Sequence, residues 1–191
     1  MARTTRTDWL DAGLALLREG GEDAVTVEKM CARLERTKGA FYHHFEDMDD
    51  CLDSLLDHWA GRQTLAPIAV SETGRTPHER RRLLERTVRG LDMVLERAVR
   101  AWALRAKRAE RVLEKIDTRR VEYLAELYAA EGVRKGKARV LAGLEYSAFV
   151  GALQIFPDLR TRDARHVEAA LRRALVLLVK DRRALRATTS P

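Results

Sequence analysis

The sequence predicts an all-α protein of about nine helices, with a three-helix head at the N-terminus and a longer helical body behind it. Three observations predict it. Ala, Leu, Arg and Glu dominate, and all four are strong helix formers. Four prolines and eleven glycines are the main punctuation in 191 residues. Val and Ile never alternate with polar residues in the period-two pattern of a strand, whereas apolar residues recur three and four apart along most of the chain.

The first helix is expected from Thr7 to Glu19. Trp9, Leu10, Gly13, Leu16 and Leu17 share one face, Thr7 is placed to cap the start, and Gly20-Gly21 stops it. Thr26 caps the next helix, Val27 to Leu34, and Glu28 lies in its first turn, where the helix dipole favours an acid. A third, short helix starts at Thr37. A fourth runs from near Asp47 to about Gln63 on a stripe of Cys51, Leu52, Leu55, Leu56 and Trp59. Leu65 to Arg75 loses the pattern and holds Pro67, Ser71 and Gly74, so a loop is expected there. Thr76-Pro77-His78-Glu79 opens another helix: Thr76 caps, Pro77 takes the first helical position and Glu79 completes a capping box. The pattern continues through Leu83, Leu84, Val88, Leu91, Val94 and Leu95, with a break expected near Glu96, and resumes over Ala98, Trp102 and Leu104. A longer helix covers about Arg111 to Ala130. Gly132 to Gly136 reads as a basic turn, Lys137 to Phe156 as a helix stopped by Pro157, and Asp163 to about Leu185 as the last helix, ahead of a frayed tail, Thr188 to Pro191. The expected domains are residues 1–60 and 76–187.

A chain of this length buries roughly 70% of its unfolded surface and needs no disulfide or metal staple. Cys31 and Cys51 each sit in a helical pattern, as small core-side residues of a reducing cytoplasm do. No window reaches the ~18 apolar residues of a membrane span, and no secretory apolar run opens the chain, so a soluble cytoplasmic protein is expected. The net charge of +7 points toward nucleic acid, but it is unevenly spread. Residues 1–58 hold 7 Lys+Arg against 13 Asp+Glu, a net of −6, and residues 59–191 hold 29 against 16, a net of +13.

The second and third helices are too short to bury a core of their own, and about three residues separate them. Such a pair serves to present its second helix outward as a probe, as a helix-turn-helix does in a DNA major groove. In the third helix, Thr37-Lys-Gly-Ala-Phe-Tyr-His-His-Phe45, the aromatic residues also fit a plain core helix, but Lys38, Gly39, Tyr42 and His43 form a face with no packing rationale. Together with Trp9-Leu-Asp-Ala-Gly-Leu-Ala-Leu-Leu17 and Ala24-Val-Thr-Val-Glu-Lys-Met30, this stretch resembles the N-terminal DNA-binding domain of TetR-family transcriptional regulators of the TetR/AcrR type, over roughly residues 7 to 59. Over residues 76–191 the resemblance is architectural only, in the number and length of helices.

The resemblance implies that Thr26 donates to a phosphate and that Thr37, Lys38, Gly39 and Ala40 face the groove, with Gly39 permitting close backbone approach and the Ala40 methyl meeting a thymine methyl. Tyr42 and His43 would contact phosphates, which position the head without reading sequence. Phe41 and Phe45 would pack inward. Arg3 and Arg6, ahead of the first helix, would form a basic arm, and Arg36 is a further phosphate or guanine contact. Two departures stand out. The turn carries Leu34-Glu35 where a small residue and glycine are usual, and a non-glycine residue in a left-handed turn costs on the order of 1 kcal/mol. The fourth helix opens with Glu46-Asp47-Met48-Asp49-Asp50 instead of lysines, which suits a helix N-terminus but repels phosphate.

In the body, Leu141, Ala142, Ala148, Gly151, Ala152 and Ile155 share a broad face of one helix, and Ala169, Ala170, Ala174, Leu177 and Leu178 lie on the last. Either these faces close the monomer's core or, as the resemblance implies, two helices from each of two chains form a four-helix homodimer interface. Pairing fits a two-fold symmetric, palindromic operator in double-stranded DNA. Trp102, Tyr123, Leu127, Tyr146, Phe149 and Gln154 are candidates to line a cavity for a small-molecule effector, or else ordinary core. The resemblance implies a ligand-responsive regulator, a repressor released by its effector, with no cofactor and no enzymatic activity. Asp49-Asp50-Cys-Leu-Asp53 matches the DDxxD pattern of magnesium–diphosphate sites as a single short match, and Cys31, Cys51, His43, His44 and His58 lack a standard zinc spacing. The rival reading is a dimeric helical ligand-binding or interaction protein with weak or no operator binding, which the acidic head supports.

Overall fold

The computed structural model describes residues 4–181; Arg3, the end of the last helix and the expected tail lie outside the described residues. Among the described residues every regular element is helical. The order is α1 (Arg6–Gly20), a 3₁₀ turn (Glu22–Ala24), α2 (Val27–Leu34), α3 (Lys38–Tyr42), α4 (Met48–Ala60), α5 (Ala66–Glu72), α6 (Pro77–Arg89), α7 (Met93–Ala103), α8 (Lys107–Ala130), α9 (Lys135–Ile155) and α10 (Arg162–Lys180). A π turn, Gly61–Leu65, joins α4 to α5 without a break, so the described residues form nine helical rods, as expected.

Local chemistry sets most of these ends. Thr5, not Thr7, caps α1: its hydroxyl accepts the Asp8 N–H at 3.2 Å, and the Asp8 carboxylate takes the Thr5 N–H at 2.7 Å in a reciprocal box. Thr26 and Thr37 cap α2 and α3, each accepting an N–H three residues on at 3.3 Å. The loop expected between Leu65 and Arg75 is largely helix. A proline ring clashes with the carbonyl four residues back, which argues against a helix through Pro67. The π turn just before it removes the conflict, because the Ala66 N–H pairs five residues back with the Gly61 carbonyl and shifts the preceding turn. The chain then breaks before α6, where Thr76 caps as expected, while Glu79 reaches the N–H of Arg75 at 2.9 Å instead of that of Thr76. The break expected near Glu96 falls earlier, at Asp92, whose carboxylate accepts the Val94 and Leu95 N–H groups at 3.0 and 3.1 Å.

The chain packs as two compact units. One comprises the residues up to Pro67 with Val88–Ile116, and the other Ile68–Thr87 with the residues from Asp117 on. The core of the first joins Trp9, Leu14, Leu17, Met30, Phe41, Phe45, Leu55, Leu56 and Trp59 to Leu95, Val99 and Trp102 of α7. Leu95, Val99 and Trp102 are spaced four and three apart, so α7 buries one continuous face in this core and the unit extends beyond residues 1–60. Gly13 lets α1 and α4 approach closely; a Cβ there would lie 2.9 Å from Leu55 Cδ1. Both cysteines are buried, and burial pushes the Cys51 thiol up to about 12.

In the second unit, Tyr128, Val133, Ala138, Leu141, Ala142 and Leu175 form a core from α8, α9 and α10. A polar group sits beside it. The Arg81 guanidinium lies over the Tyr128 ring at 4.4 Å and pairs with Glu131 at 2.7 Å, while the Tyr128 hydroxyl donates to Glu145 at 2.7 Å. Burial, with the Glu145 carboxylate beside it, pushes the Tyr128 phenol up. The buried Lys137 ammonium donates to the Val179 and Asp181 carbonyls, satisfying the end of α10.

Two helices end in the same hydrogen-bonded motif with different residues at its strained position. At the end of α8, the Val133 N–H reaches the Tyr128 carbonyl and the Gly132 N–H the Ala129 carbonyl, with Gly132 at φ +90°. At the end of α2, the Arg36 N–H reaches the Cys31 carbonyl at 2.9 Å and the Glu35 N–H the Ala32 carbonyl at 3.3 Å, with Glu35 at φ 53°. Glu35 is the one non-glycine residue with positive φ among the described residues. Glu35→Gly is therefore expected to stabilise the protein by about 0.5–1 kcal/mol, and Gly132→Ala to destabilise it by about 1 kcal/mol, in urea unfolding.

Candidate nucleic-acid interface

The candidate surface is built on α3, which has five residues. An isolated helix of that length does not persist in water. It is held by side chains pointing inward. Phe41 is fully buried, edge-on to Trp9 with ring centroids 5.6 Å apart and tilted against Phe45 at 5.0 Å. With both phenylalanines inside, Thr37, Lys38, Gly39, Tyr42 and His43 are exposed, and Ala40 and His44 half-buried. Tyr42 shows 55% of its surface, a large value for an aromatic residue beside a core. A Cβ at Gly39 would meet nothing nearer than the Thr37 hydroxyl at 3.8 Å, so nothing inside the protein requires glycine there.

The cations of this surface are already engaged. Lys38 Nζ lies 2.5 Å from Glu28 Oε1, joining the first turns of α3 and α2 across the helix-turn-helix. The hydrogen bond from Lys38 holds the Glu28 carboxyl below its ordinary range, and the same bond raises the Lys38 ammonium. Arg36 donates through Nε to the Thr4 hydroxyl at 2.7 Å and through Nη1 to the Glu35 carbonyl at 3.1 Å. Arg6 is not part of an arm ahead of the first helix, because the Thr5 cap makes it the first residue of α1. Its guanidinium lies over the Phe45 ring at 4.9 Å and donates to Asp50 at 3.1 Å and Ser54 at 2.7 Å. Arg3 lies outside the described residues. Thr26 is half-buried, its hydroxyl oxygen occupied as a cap.

The acids that follow α3 also have partners. Asp47 caps α4 by accepting the Asp50 N–H at 2.8 Å, and Asp50 in turn takes the Glu46 N–H at 3.1 Å. Arg108, near the start of α8, donates to the Asp49 carbonyl and carboxylate, each at 2.6 Å, and lies 3.3 Å from Asp53. The three aspartates of the DDxxD match are thus charge-compensated by Arg6 and Arg108. Neither Arg108 nor Glu28 was legible as part of this surface, since their partners lie 59 and 10 residues away with no motif linking them.

The residues expected to line an effector cavity are divided between the two units. Trp102 is core of the first unit, packed among the side chains that α7 buries there. Tyr123, Leu127, Tyr146 and Phe149 belong to the second. Tyr123 and Leu127 pack with Ile68 and Leu84, and the Tyr123 hydroxyl donates to Ser71 at 2.8 Å. Tyr146 donates to Asp117 at 2.5 Å, accepts from Arg120 at 3.0 Å and stacks at a tilt on Phe149 at 6.0 Å; Gln154 is exposed. Of the residues expected at a dimer interface, Leu141 is fully buried in its own unit's core and has no surface to offer a second chain. Ala148, Gly151 and Ala152 are half-buried, and Ala170 and Ala174 exposed. Ile155 and Leu177 are 73% and 69% exposed.

Residues 10–55 match the family model for bacterial regulatory proteins of the tetR family. No curated protein sequence matches the chain. Solved structures match along most of its length. A transcriptional regulator from Rhodococcus sp. RHA1 is 18% identical, with 91% of this chain and 95% of that one covered and a TM-score of 0.70. A TetR/AcrR-family transcriptional regulator from Aquifex aeolicus VF5 is 18% identical over 91% of this chain and 99% of that one, with a TM-score of 0.65. The ketosteroid transcriptional regulator KstR2 of Mycobacterium tuberculosis is 15% identical over 95% and 98%, with a TM-score of 0.63. At these identities the structures establish the fold, and residues 10–55 carry the sequence signature of bacterial regulatory proteins of the tetR family.

Proposed function

We propose that this regulator binds a palindromic double-stranded operator as a homodimer, represses transcription from it, and is released by a small-molecule effector. The observation that carries the DNA-binding part is the division of α3 into two faces. Phe41 and Phe45 are consumed by the core, whereas Lys38, Gly39 and Tyr42 are presented outward with no internal use for the glycine. Lys38, Tyr42 and His43 supply phosphate contacts, as do Thr26 and Arg36 from beside the helix, and Thr37, Gly39 and Ala40 meet base edges. Arg6 joins them on releasing Asp50, and Arg3 is proposed as a flanking contact.

Dimerisation is proposed through α9 and α10. Val140, Leu144 and Ile155 on α9, and Val167 and Leu177 on α10, are exposed apolar residues interleaved with Ala148, Gly151, Ala152, Ala170 and Ala174. Such a stripe supports close helix-to-helix approach by a second copy. The effector site is proposed in the second unit, near Tyr123, Leu127, Tyr146 and Phe149, with no chemical class assigned. The second reading, a dimeric ligand-binding or interaction protein with little operator affinity, is favoured by the engagement of Arg6, Lys38 and Arg36 within the head.

Selection of bound duplexes from a random pool, followed by a salt titration, tests the reading. Recovery of a palindromic site is expected; no enrichment even at low salt would overturn it. Lys38→Ala is expected to weaken binding to all sequences alike and to reduce the salt slope by about 1, and Tyr42→Phe to weaken it less. Gly39→Ala separates folding from function: helix propensity predicts about 0.5–1 kcal/mol more stability, together with a loss of DNA affinity. Ile155→Glu with Leu177→Glu is expected to give monomers in sedimentation velocity with unchanged helix content by circular dichroism.

A further inference from the structure

We propose that Glu28 is an intramolecular competitor for the DNA phosphate, holding Lys38 so that the reading helix binds DNA by exchanging one anionic partner for another. The inference rests on the reading that α3 meets DNA. The two charges come from the first turns of the two helices of the helix-turn-helix, 2.5 Å apart, with side chains 60% exposed on Lys38 and 65% exposed on Glu28. The pair therefore stands in solvent beside Thr37 and Gly39 and makes no part of the core. At that exposure an ion pair contributes little to folding. Its consequence lies in what approaches. A phosphate that takes Lys38 must displace the carboxylate, and the displaced carboxylate stays on the first turn of α2, beside the incoming backbone. Both effects act on phosphate, not on bases. Glu28 thus lowers affinity for every sequence alike and flattens the salt dependence, because the freed carboxylate recaptures cations that the DNA releases. Arg6 with Asp50 repeats the arrangement beyond the end of α3, at 3.1 Å.

Fluorescence anisotropy of the full chain tests it, using the duplex recovered by selection and an unrelated duplex, from low to moderate salt, with Glu28→Gln, Lys38→Met and the double variant. Glu28→Gln is expected to tighten both duplexes about three- to tenfold at low salt, with a gain that shrinks as salt rises. In the Lys38→Met background the gain should largely vanish. Unchanged affinity in Glu28→Gln, with both duplexes still bound, overturns this inference and leaves the DNA-binding reading standing. An equal gain retained with Lys38→Met also overturns it, by showing that the carboxylate repels DNA without acting through Lys38. Weaker binding confined to the selected duplex overturns it in a third way, by making Glu28 an acceptor for a cytosine amino group. If no variant binds either duplex at the lowest salt, the DNA-binding reading and this one fall together.

Discussion

The contact on which the head depends is the one between Trp9 and Phe41. α3 has five residues and no helical persistence of its own, so its conformation and its orientation both come from tertiary packing. Phe41 enters the core and meets Trp9 edge-on, and Phe45 follows one turn later. Once these two rings are inside, helical geometry leaves Lys38, Gly39, Tyr42 and His43 no place but the surface. Gly13 serves the same core, where it lets α1 approach Leu55 of α4 closely.

The charge of the head looks different once its packing is known. Counted along the chain, residues 1–58 are acidic by six charges. The compact unit also includes Val88–Ile116, which brings eight Lys+Arg against four Asp+Glu. The unit as a whole is then close to neutral. The added cations lie where the acids are: Arg108 against Asp49 and Asp53, and Arg105 against Glu22 at 3.5 Å. The first helix returns the favour to α7, with Arg18 against Asp92 at 2.7 Å. Exposed pairs of this kind contribute roughly 0.2–1 kcal/mol each, too little to decide the fold. Their effect is local, within the ~8 Å over which surface charges act at physiological salt. The cations beside α3 are themselves paired, Arg6 with Asp50 and Lys38 with Glu28.

How far the sequence reveals this depends on how local the cause is. The caps at Thr26, Thr37, Asp47 and Thr76 are legible because each is a side chain and an N–H three residues apart. The inward face of α3 is legible because two phenylalanines four apart demand it. Thr5 and Thr7 are equally good caps, and only the partner Asp8 decides between them. Pro67 looks like a breaker until the π turn before it is seen, and nothing in Gly61–Leu65 announces that turn. The packing partners of Trp102 and Leu141 are not legible for a shared reason. An apolar residue at helical spacing declares that it is buried, but not against what. Residue spacing cannot say that α7 turns back to the core around Trp9, nor that Leu141 points to α8 and α10 while neighbours on its helix point away.

Two residues near the turn break local rules in opposite directions. Glu35 occupies a left-handed position that glycine would take without strain, and Gly39 occupies a helical position that alanine would stabilise. Folding alone favours the reverse at both sites. Departures from local preference without an internal compensation concentrate where a surface serves something outside the fold. For Gly39 the proposed function supplies an external requirement, since an absent side chain on an exposed first turn admits another molecule's backbone. Glu35 adds a carboxylate beside those of Glu28 and Asp50, but unlike Asp50, which accepts the Glu46 N–H, it stands at a position where folding favours glycine. On the proposed function, a glycine at the point of closest approach and carboxylates around it describe a helix that comes near DNA while limiting how strongly phosphate alone draws it there.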